Sequence, residues 1–160
     1  MPGIDGLTPP RLTIELVPST CWFSNVRSEV TPEMWTRIKR MAYRKAHYRC
    51  EICNGVGPKW PVECHEKWQY HDQKRIQSLT DMLALCPACH EVKHIGLAES
   101  RGRVNEALAH LAKVNEWSLA DARYYAEGAF ELWAQRSLHV WTLDISMLNK
   151  LGVVPQARAS

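Results

Sequence analysis

The cysteines and histidines of this 160-residue chain are concentrated in one stretch. Five of the six cysteines and four of the seven histidines lie between Cys50 and His94. Thiolate and imidazole groups are the side chains that bind transition metals in proteins. We therefore expect the chemistry of the chain to reside in this stretch.

Two CxxC motifs, Cys50 with Cys53 and Cys86 with Cys89, frame the stretch. Together they offer four thiolates, which satisfy the tetrahedral preference of a structural zinc ion. The alternative is two pairs of buried thiols without a metal. Cys21 has no CxxC partner and is expected to be a packed thiol.

His90 directly follows the second CxxC motif, and His94 lies four residues further along the chain. On a helix this spacing stacks both rings on one face, where they can bind a single ion. The alternative is one surface histidine and one capping histidine. Upstream, residues 62–70 alternate in character and predict a strand. Such a strand would put His65 and Glu63 on one face and Cys64 on the other, which favours a packed thiol at Cys64.

This order of motifs resembles the HNH endonucleases, a branch of the ββα-metal nucleases, in their zinc-stapled form. The resemblance covers residues 47–95, and the string LALCPACHEVKH is its most specific part. It implies an α+β fold with a ββα-metal, treble-clef-like zinc core. It also implies a metal-dependent hydrolase that cuts DNA phosphodiester bonds.

The resemblance implies roles for individual residues of the site. His65 would be the general base that activates water, His90 a metal ligand and His94 an additional ligand. A second divalent ion, Zn, Mg, Mn or Ni, would then accompany the structural zinc. The family's ligand position before the base is occupied by Cys64, a soft ligand that would bias the second site toward zinc.

Two carboxylates complete the expected catalytic site. Asp81 stands where the family usually has the asparagine that orients the base. Asp81 could accept a hydrogen bond from His65 and thereby fix its tautomer. Glu66, next to His65, is an alternative ligand or base.

Helices are predicted to flank this core on both sides. Thr31, Pro32 and Glu33 are typical of a helix start. The cations of that helix form either a solvated face or a surface that contacts DNA phosphates. Trp60 and Trp68 flank the histidine-bearing strand and are candidates for base or sugar contact. The expected nucleic-acid contacts are therefore Arg37, Arg40, Arg44, Lys45 and Trp68.

Residues 99–152 are predicted to form a mainly helical extension packed on the core, within a single domain of residues 1–160. The apolar spacing indicates one helix from about Val104 to Val114 and another from Ser118 to Gln135. Val140–Ile145 reads as a strand that could pair with a strand at Leu12–Leu16. Ser146–Leu151 suggests a short helix stopped by Gly152.

The overall composition sets the class of protein. At 46% hydrophobic residues and a net charge of +3, the chain can bury one core and permits a DNA partner without requiring one. No apolar run approaches a membrane span, and no secretory signal is visible, so we expect a cytoplasmic protein with reduced thiols. The alternative to a nuclease is a non-catalytic zinc module that binds nucleic acid or a protein partner.

Overall fold

A computed structural model describes residues 9–155 and has a mixed α+β architecture, with 48% helix and a small three-stranded sheet. The helices are α1 (Val26–Glu29), α2 (Pro32–Lys45), α3 (Pro87–Lys93), α4 (Ile95–Ser100), α5 (Val104–Asn115) and α6 (Leu119–Arg136). The strands are β1 (Glu63–His71), β2 (Ile76–Leu85) and β3 (Thr142–Asp144). Two 3₁₀ helices span Ser19–Cys21 and Ser146–Leu151.

The hairpin of β1 and β2 is the centre of the fold. The strands pair antiparallel from Glu63 opposite Leu85 to His71 opposite Ile76, with a register shift between Lys67 and Trp68. The sheet order is β1-β2-β3, so β1 lies at an edge. Because β2 runs directly into α3, the hairpin fixes the start of that helix.

The predicted helix starts agree with the structure. The side chain of Thr31 accepts a hydrogen bond from the backbone N–H of Met34 and caps α2, whose first turn contains Pro32. Ser118 accepts in the same way from Asp121 and caps α6. Gly152 adopts φ +69° after the second 3₁₀ helix, a conformation that glycine tolerates.

The strand predicted at Leu12–Leu16 is wrong, because this segment has no regular secondary structure and belongs to no sheet. Its backbone is held by a side chain instead. Asn115 accepts from the N–H groups of Arg11 and Leu12, at 2.8 and 2.9 Å, and donates to the carbonyl of Leu12 at 2.8 Å. Leu12 and Ile14 are still buried, as the alternation predicted.

The predicted pairing of the two chain ends is also wrong. β3 lies within the predicted Val140–Ile145 segment, but it pairs in parallel with β2, from Ile76 opposite Thr142 to Ser78 opposite Asp144. β3 pairs with the edge of β2 that does not pair with β1, whereas the Leu12–Leu16 segment packs against the helices of the first core.

The buried hydrophobic residues form two cores, and the hairpin contributes to both. The first joins the Leu12–Ile14 segment to α3, α4, α5 and α6 and includes Cys50, Cys86 and Cys89. The second joins α2 to the hairpin and to Leu148 and Val153. No helix among residues 9–155 is long and apolar enough to cross a membrane.

Candidate metal centres and the adjacent cleft

The four cysteines of the CxxC motifs meet at one point. Cys50, Cys53, Cys86 and Cys89 each offer a sulfur atom, and all four atoms lie within 4.8 Å of one another. The Sγ atoms of Cys53 and Cys86 are 3.6 Å apart. Sulfur atoms bound to one zinc ion at about 2.3 Å would be separated by a similar distance. The four cysteines can therefore hold a metal ion.

The acidities of these thiols also suit a bound cation. A hydrogen bond with Cys89 lowers the pKa of Cys50 to about 4. Burial raises the pKa of Cys86 to about 11, and the hydrogen bond with Cys50 followed by burial raises that of Cys89. Because the pKa values of Cys86 and Cys89 are raised, a positive ion is what would make their thiolates compatible with burial beside that of Cys50.

His110 on α5 reaches the cysteine cluster from the helical extension. Its Nε2 lies 3.1 Å from the Sγ of Cys89, within hydrogen-bond distance. Ligands of a metal are commonly oriented by such outer partners. His110 belongs to no metal-binding motif in the sequence. The available signal was a histidine placed next to the apolar face of an amphipathic helix.

Three histidines form a second cluster, which we call the histidine cluster: His65, His90 and His94. Each offers one ring nitrogen, and the three nitrogens lie within 4.8 Å of one another. The Nε2 atoms of His90 and His94 are 3.1 Å apart, as the spacing on one helix predicted. Nitrogens bound to one ion at about 2.0–2.1 Å would lie at similar separations. The histidine cluster can therefore also hold a metal ion.

Glu63 fixes the ring of His90. Its carboxylate lies 2.6 Å from Nδ1 of His90, which leaves Nε2 facing His94. The indole of Trp60 donates to the other oxygen of Glu63 at 2.9 Å. A carboxylate behind a ligating histidine sets its tautomer and raises its basicity. The sequence put Glu63 on the His65 face but did not assign it this role.

His65 is the buried member of the histidine cluster, at 8% exposure. Burial, reinforced by the neighbouring His90 and His94, lowers the pKa of His65 to about 2. The ring is therefore neutral at pH 7. A neutral imidazole can bind a cation, whereas a pKa this low makes His65 a weak proton acceptor at pH 7.

Asp81 does not lie beside His65. In the strand register Asp81 opposes Lys67, while His65 opposes Leu83. The carboxylate of Asp81 accepts from the ammonium of Lys45 at 3.1 Å and from the backbone N–H of Met82. The expected hydrogen bond between His65 and Asp81 is therefore wrong.

Cys64 and Glu66 point away from the face that carries His65. Cys64 packs against the second core, where burial raises its pKa to about 12, and it is not part of either metal-type cluster. Its expected role as a ligand of the second metal is not supported by this position. Glu66 accepts the backbone N–H of Val26 at 2.9 Å, and burial raises its pKa.

The proposed DNA-contacting residues differ in exposure. Arg37, Arg40 and Arg44 are exposed on α2. Lys45 is engaged by Glu51 and Asp81 at 3.4 and 3.1 Å. Trp68 is 8% exposed and packs in the second core, and it also borders the cleft beside the histidine cluster.

A cleft of about 890 Å³ opens beside the histidine cluster. It lies between the β1 edge, the α3–α4 region, α6 and the segment that includes residues 15–27. A smaller cavity of about 310 Å³ borders His90 and His94 together with Glu63 and Arg101. Neither cavity could be predicted from the sequence, because its walls come from distant segments.

Comparisons with protein-family models, with curated proteins and with solved structures found no match to this chain.

Proposed function

We propose that this protein is a metal-dependent endonuclease that hydrolyses DNA phosphodiester bonds. The observation that carries the proposal is the histidine cluster, set between a β-hairpin and the start of a helix. This succession of hairpin, four-cysteine cluster and histidine-bearing helix is similar to the ββα-metal core of the HNH endonucleases.

We assign zinc to the four-cysteine cluster as a structural ion. Three of its four sulfur donors are almost fully buried, which is typical of closed structural sites. The second ion would bind at the histidine cluster, where Zn or Ni suits imidazole ligands better than Mg or Mn does.

His90 and His94 would be the ligands of that second ion. There a divalent ion would act as a Lewis acid and stabilise the negative charge on a phosphate and its leaving oxygen. Glu63 holds His90 in the required tautomer. The ammonium group of Lys93 donates hydrogen bonds to Thr13 and Glu15. These bonds, together with the hairpin, keep α3 and the histidines at its C-terminal end in a fixed position.

His65 has two possible roles, and they predict different phenotypes. If it accepts the proton from water, His65→Ala abolishes cleavage but leaves the ion bound at His90 and His94. If it is the third ligand, the same substitution also removes the ion. Metal content by mass spectrometry, measured beside cleavage, distinguishes the two roles.

The test of the function is cleavage of supercoiled plasmid with Mg, Mn, Ni or Zn. We expect nicking with at least one ion, and a loss of at least about a hundredfold in His65→Ala, in line with removal of an acid–base group or ligand. His139→Ala, an exposed histidine outside the cluster, is the matched control. Equal cleavage by wild type and His65→Ala, or none with any ion, would refute the proposal.

A non-catalytic zinc module is the second candidate. The positions of Asp81 and Cys64 favour it, because both residues lie away from the histidine cluster. It predicts DNA or protein binding without turnover, and binding that survives His65→Ala. A loss of DNA binding with rising salt would support the nucleic-acid form of this candidate.

A further inference from the structure

The cleft beside the histidine cluster has the dimensions of a small-ligand site. Its volume of about 890 Å³ falls within the range of about 300–1,000 Å³ that is typical of such sites. All three histidines of the cluster border it. Any group bound through an ion at the histidines would therefore lie next to the space in the cleft.

Aromatic rings form much of the cleft wall. Trp22, Trp35, Trp68, Phe130 and Trp133 all border it. Trp22 is 60% exposed, so its ring is available to a ligand at the mouth. Aromatic side chains beside a backbone-binding site are the usual platform on which unpaired bases stack.

The charges around the cleft favour an anionic ligand. Glu15 is paired with the ammonium of Lys93 at 2.9 Å, and Glu66 accepts the backbone N–H of Val26. Arg27 and the exposed Glu99 also border the cleft, and within residues 9–155 neither of them forms an ion pair. Because the charges of Arg27 and Glu99 offset each other, a divalent ion at the histidine cluster would supply the excess positive charge that attracts phosphate.

Lys39 adds a second cation close to the same wall. Its ammonium lies 5.9 Å from the centre of the Trp35 ring, and Trp35 borders the cleft. An extended peptide along the free edge of β1 is the competing occupant, but it would not need this arrangement of cations around the histidine cluster. The charges therefore favour a polyanion.

We propose that the cleft binds an unpaired nucleotide of a single-stranded or locally melted nucleic acid, with its phosphate at the histidine cluster and its base among the aromatic rings. This inference rests on the proposed endonuclease function and names its substrate class. In a duplex the bases are stacked and paired, so their faces are not free to enter a cleft. An unpaired base can enter the cleft without the free-energy cost of unpairing and unstacking.

Binding of three phosphorothioate probes tests the proposal. They are a short mixed-sequence single strand, the same sequence as a duplex, and the same backbone with abasic sites throughout, each fluorescently labelled. Anisotropy in the presence of Mn²⁺ should show the single strand bound at least about tenfold more tightly than the other two, as expected for loss of base stacking. The abasic strand keeps the phosphate charge and so isolates the contribution of the base.

Trp22→Ala should weaken binding of the single strand by about tenfold, which corresponds to the loss of one stacking contact. Phe23→Ala is the matched control, because Phe23 is adjacent, 87% exposed and not part of the cleft wall. Since both rings are exposed, neither substitution should unfold the protein. Equal effects of the two variants would overturn the proposal.

Cleavage of unmodified versions of the same probes tests the cleft proposal and the endonuclease proposal separately. Equal binding and cutting of duplex and single strand would overturn the cleft proposal and leave the endonuclease intact. Base-dependent binding that is sensitive to Trp22, without cleavage in any of the four metals, would remove the endonuclease and support the cleft. An abasic strand that binds as tightly as the intact strand would overturn the cleft proposal in either case.

Discussion

Individual side chains give the two candidate metal centres different characters. In the four-cysteine cluster, Cys50, Cys86 and Cys89 are at most 4% exposed. In the histidine cluster, His65 is buried while His90 is half-buried and His94 is exposed. Closed sites suit structural ions, and catalytic ions need an open position for substrate. The exposure of the donors therefore favours a structural ion at the cysteines and, under the proposed function, a catalytic ion at the histidines.

Glu63→Gln tests the support of His90. The amide keeps the size of the side chain but removes the charge that orients the imidazole. We expect affinity for an ion at the histidine cluster to fall about 10- to 100-fold, the usual effect of removing such a partner. Isothermal titration with Ni²⁺ or Zn²⁺ on protein loaded at the cysteines measures this. Glu127→Gln on the exposed surface of α6 should leave the affinity unchanged.

The raised pKa of Cys64 predicts its reactivity. Burial raises the pKa of Cys64 to about 12 from the ordinary 9.0, so a smaller fraction of thiolate is present at any pH below 12. At pH 8 alkylation of Cys64 should be about a thousandfold slower than that of an unfolded cysteine, and its rate should rise with pH through 11. Peptide mapping after iodoacetamide treatment measures this. A fast, pH-independent reaction would contradict the buried position.

At the level of elements, α3 couples the two centres. Cys86 caps the helix, Cys89 and His90 lie on it, and His94 follows its last turn. A metal ion that fixes Cys86 and Cys89 therefore also fixes the direction in which His90 points. β1 contributes the third histidine, and the alternation of a strand separates His65 from Cys64.

Asn115 of α5 connects the extension to the Leu12–Leu16 segment. Asn115→Ala would leave three backbone groups of Arg11 and Leu12 without their partner. We expect a loss of about 2–4 kcal/mol in the free energy of unfolding, because buried polar groups without partners each cost about 1–3 kcal/mol. Urea denaturation followed by circular dichroism measures this loss.

Asn105→Ala is the control for that substitution, because Asn105 is exposed at the start of the same helix. It should change the free energy of unfolding by less than about 0.5 kcal/mol. A similar loss in both variants would contradict the role of the contact with Leu12, because Ala has a higher helix propensity than Asn and the exposed substitution alone should not destabilise the helix.

In the whole molecule, the four-cysteine cluster is part of the first core. Cys50, Cys86 and Cys89 pack with the buried residues of α3, α5 and α6 and with Leu12 and Ile14. The cluster thus joins the N-terminal segment, the hairpin and the helical extension. Its ion would stabilise the packing of elements that are distant in sequence.

Removal of metal should therefore destabilise the entire first core. We expect a zinc chelator at neutral pH to lower the melting temperature by more than about 10 °C, because structural zinc contributes its binding energy to folding. Near-UV circular dichroism should lose the signal of Trp117 and Tyr125, whose rings are 5.1 Å apart in this core. His110→Ala should make the chelator act faster, since His110 contacts Cys89. An unchanged melting curve would exclude a structural ion at the cysteines.

The amino-acid sequence determined the features that depend on local spacing. The CxxC pairs, the i,i+4 histidines and the caps at Thr31 and Ser118 are each set by neighbours within a few residues, so helices and candidate ligands could be predicted from them. The alternation of residues along β1 likewise predicted that His65 and Cys64 lie on opposite faces of the strand.

Tertiary structure alone decided which distant residues meet. The strand register put Asp81 beside Lys45 instead of His65, and side-chain bonds from Asn115 replaced the sheet pairing expected for Leu12–Leu16. His110 approaches Cys89 because two helices pack together although these residues are more than twenty positions apart in sequence. The cleft beside the histidines likewise forms between segments that are distant in sequence. Long-range packing has no local periodicity, because the free energy of burying one surface depends on which other surface is available to cover it.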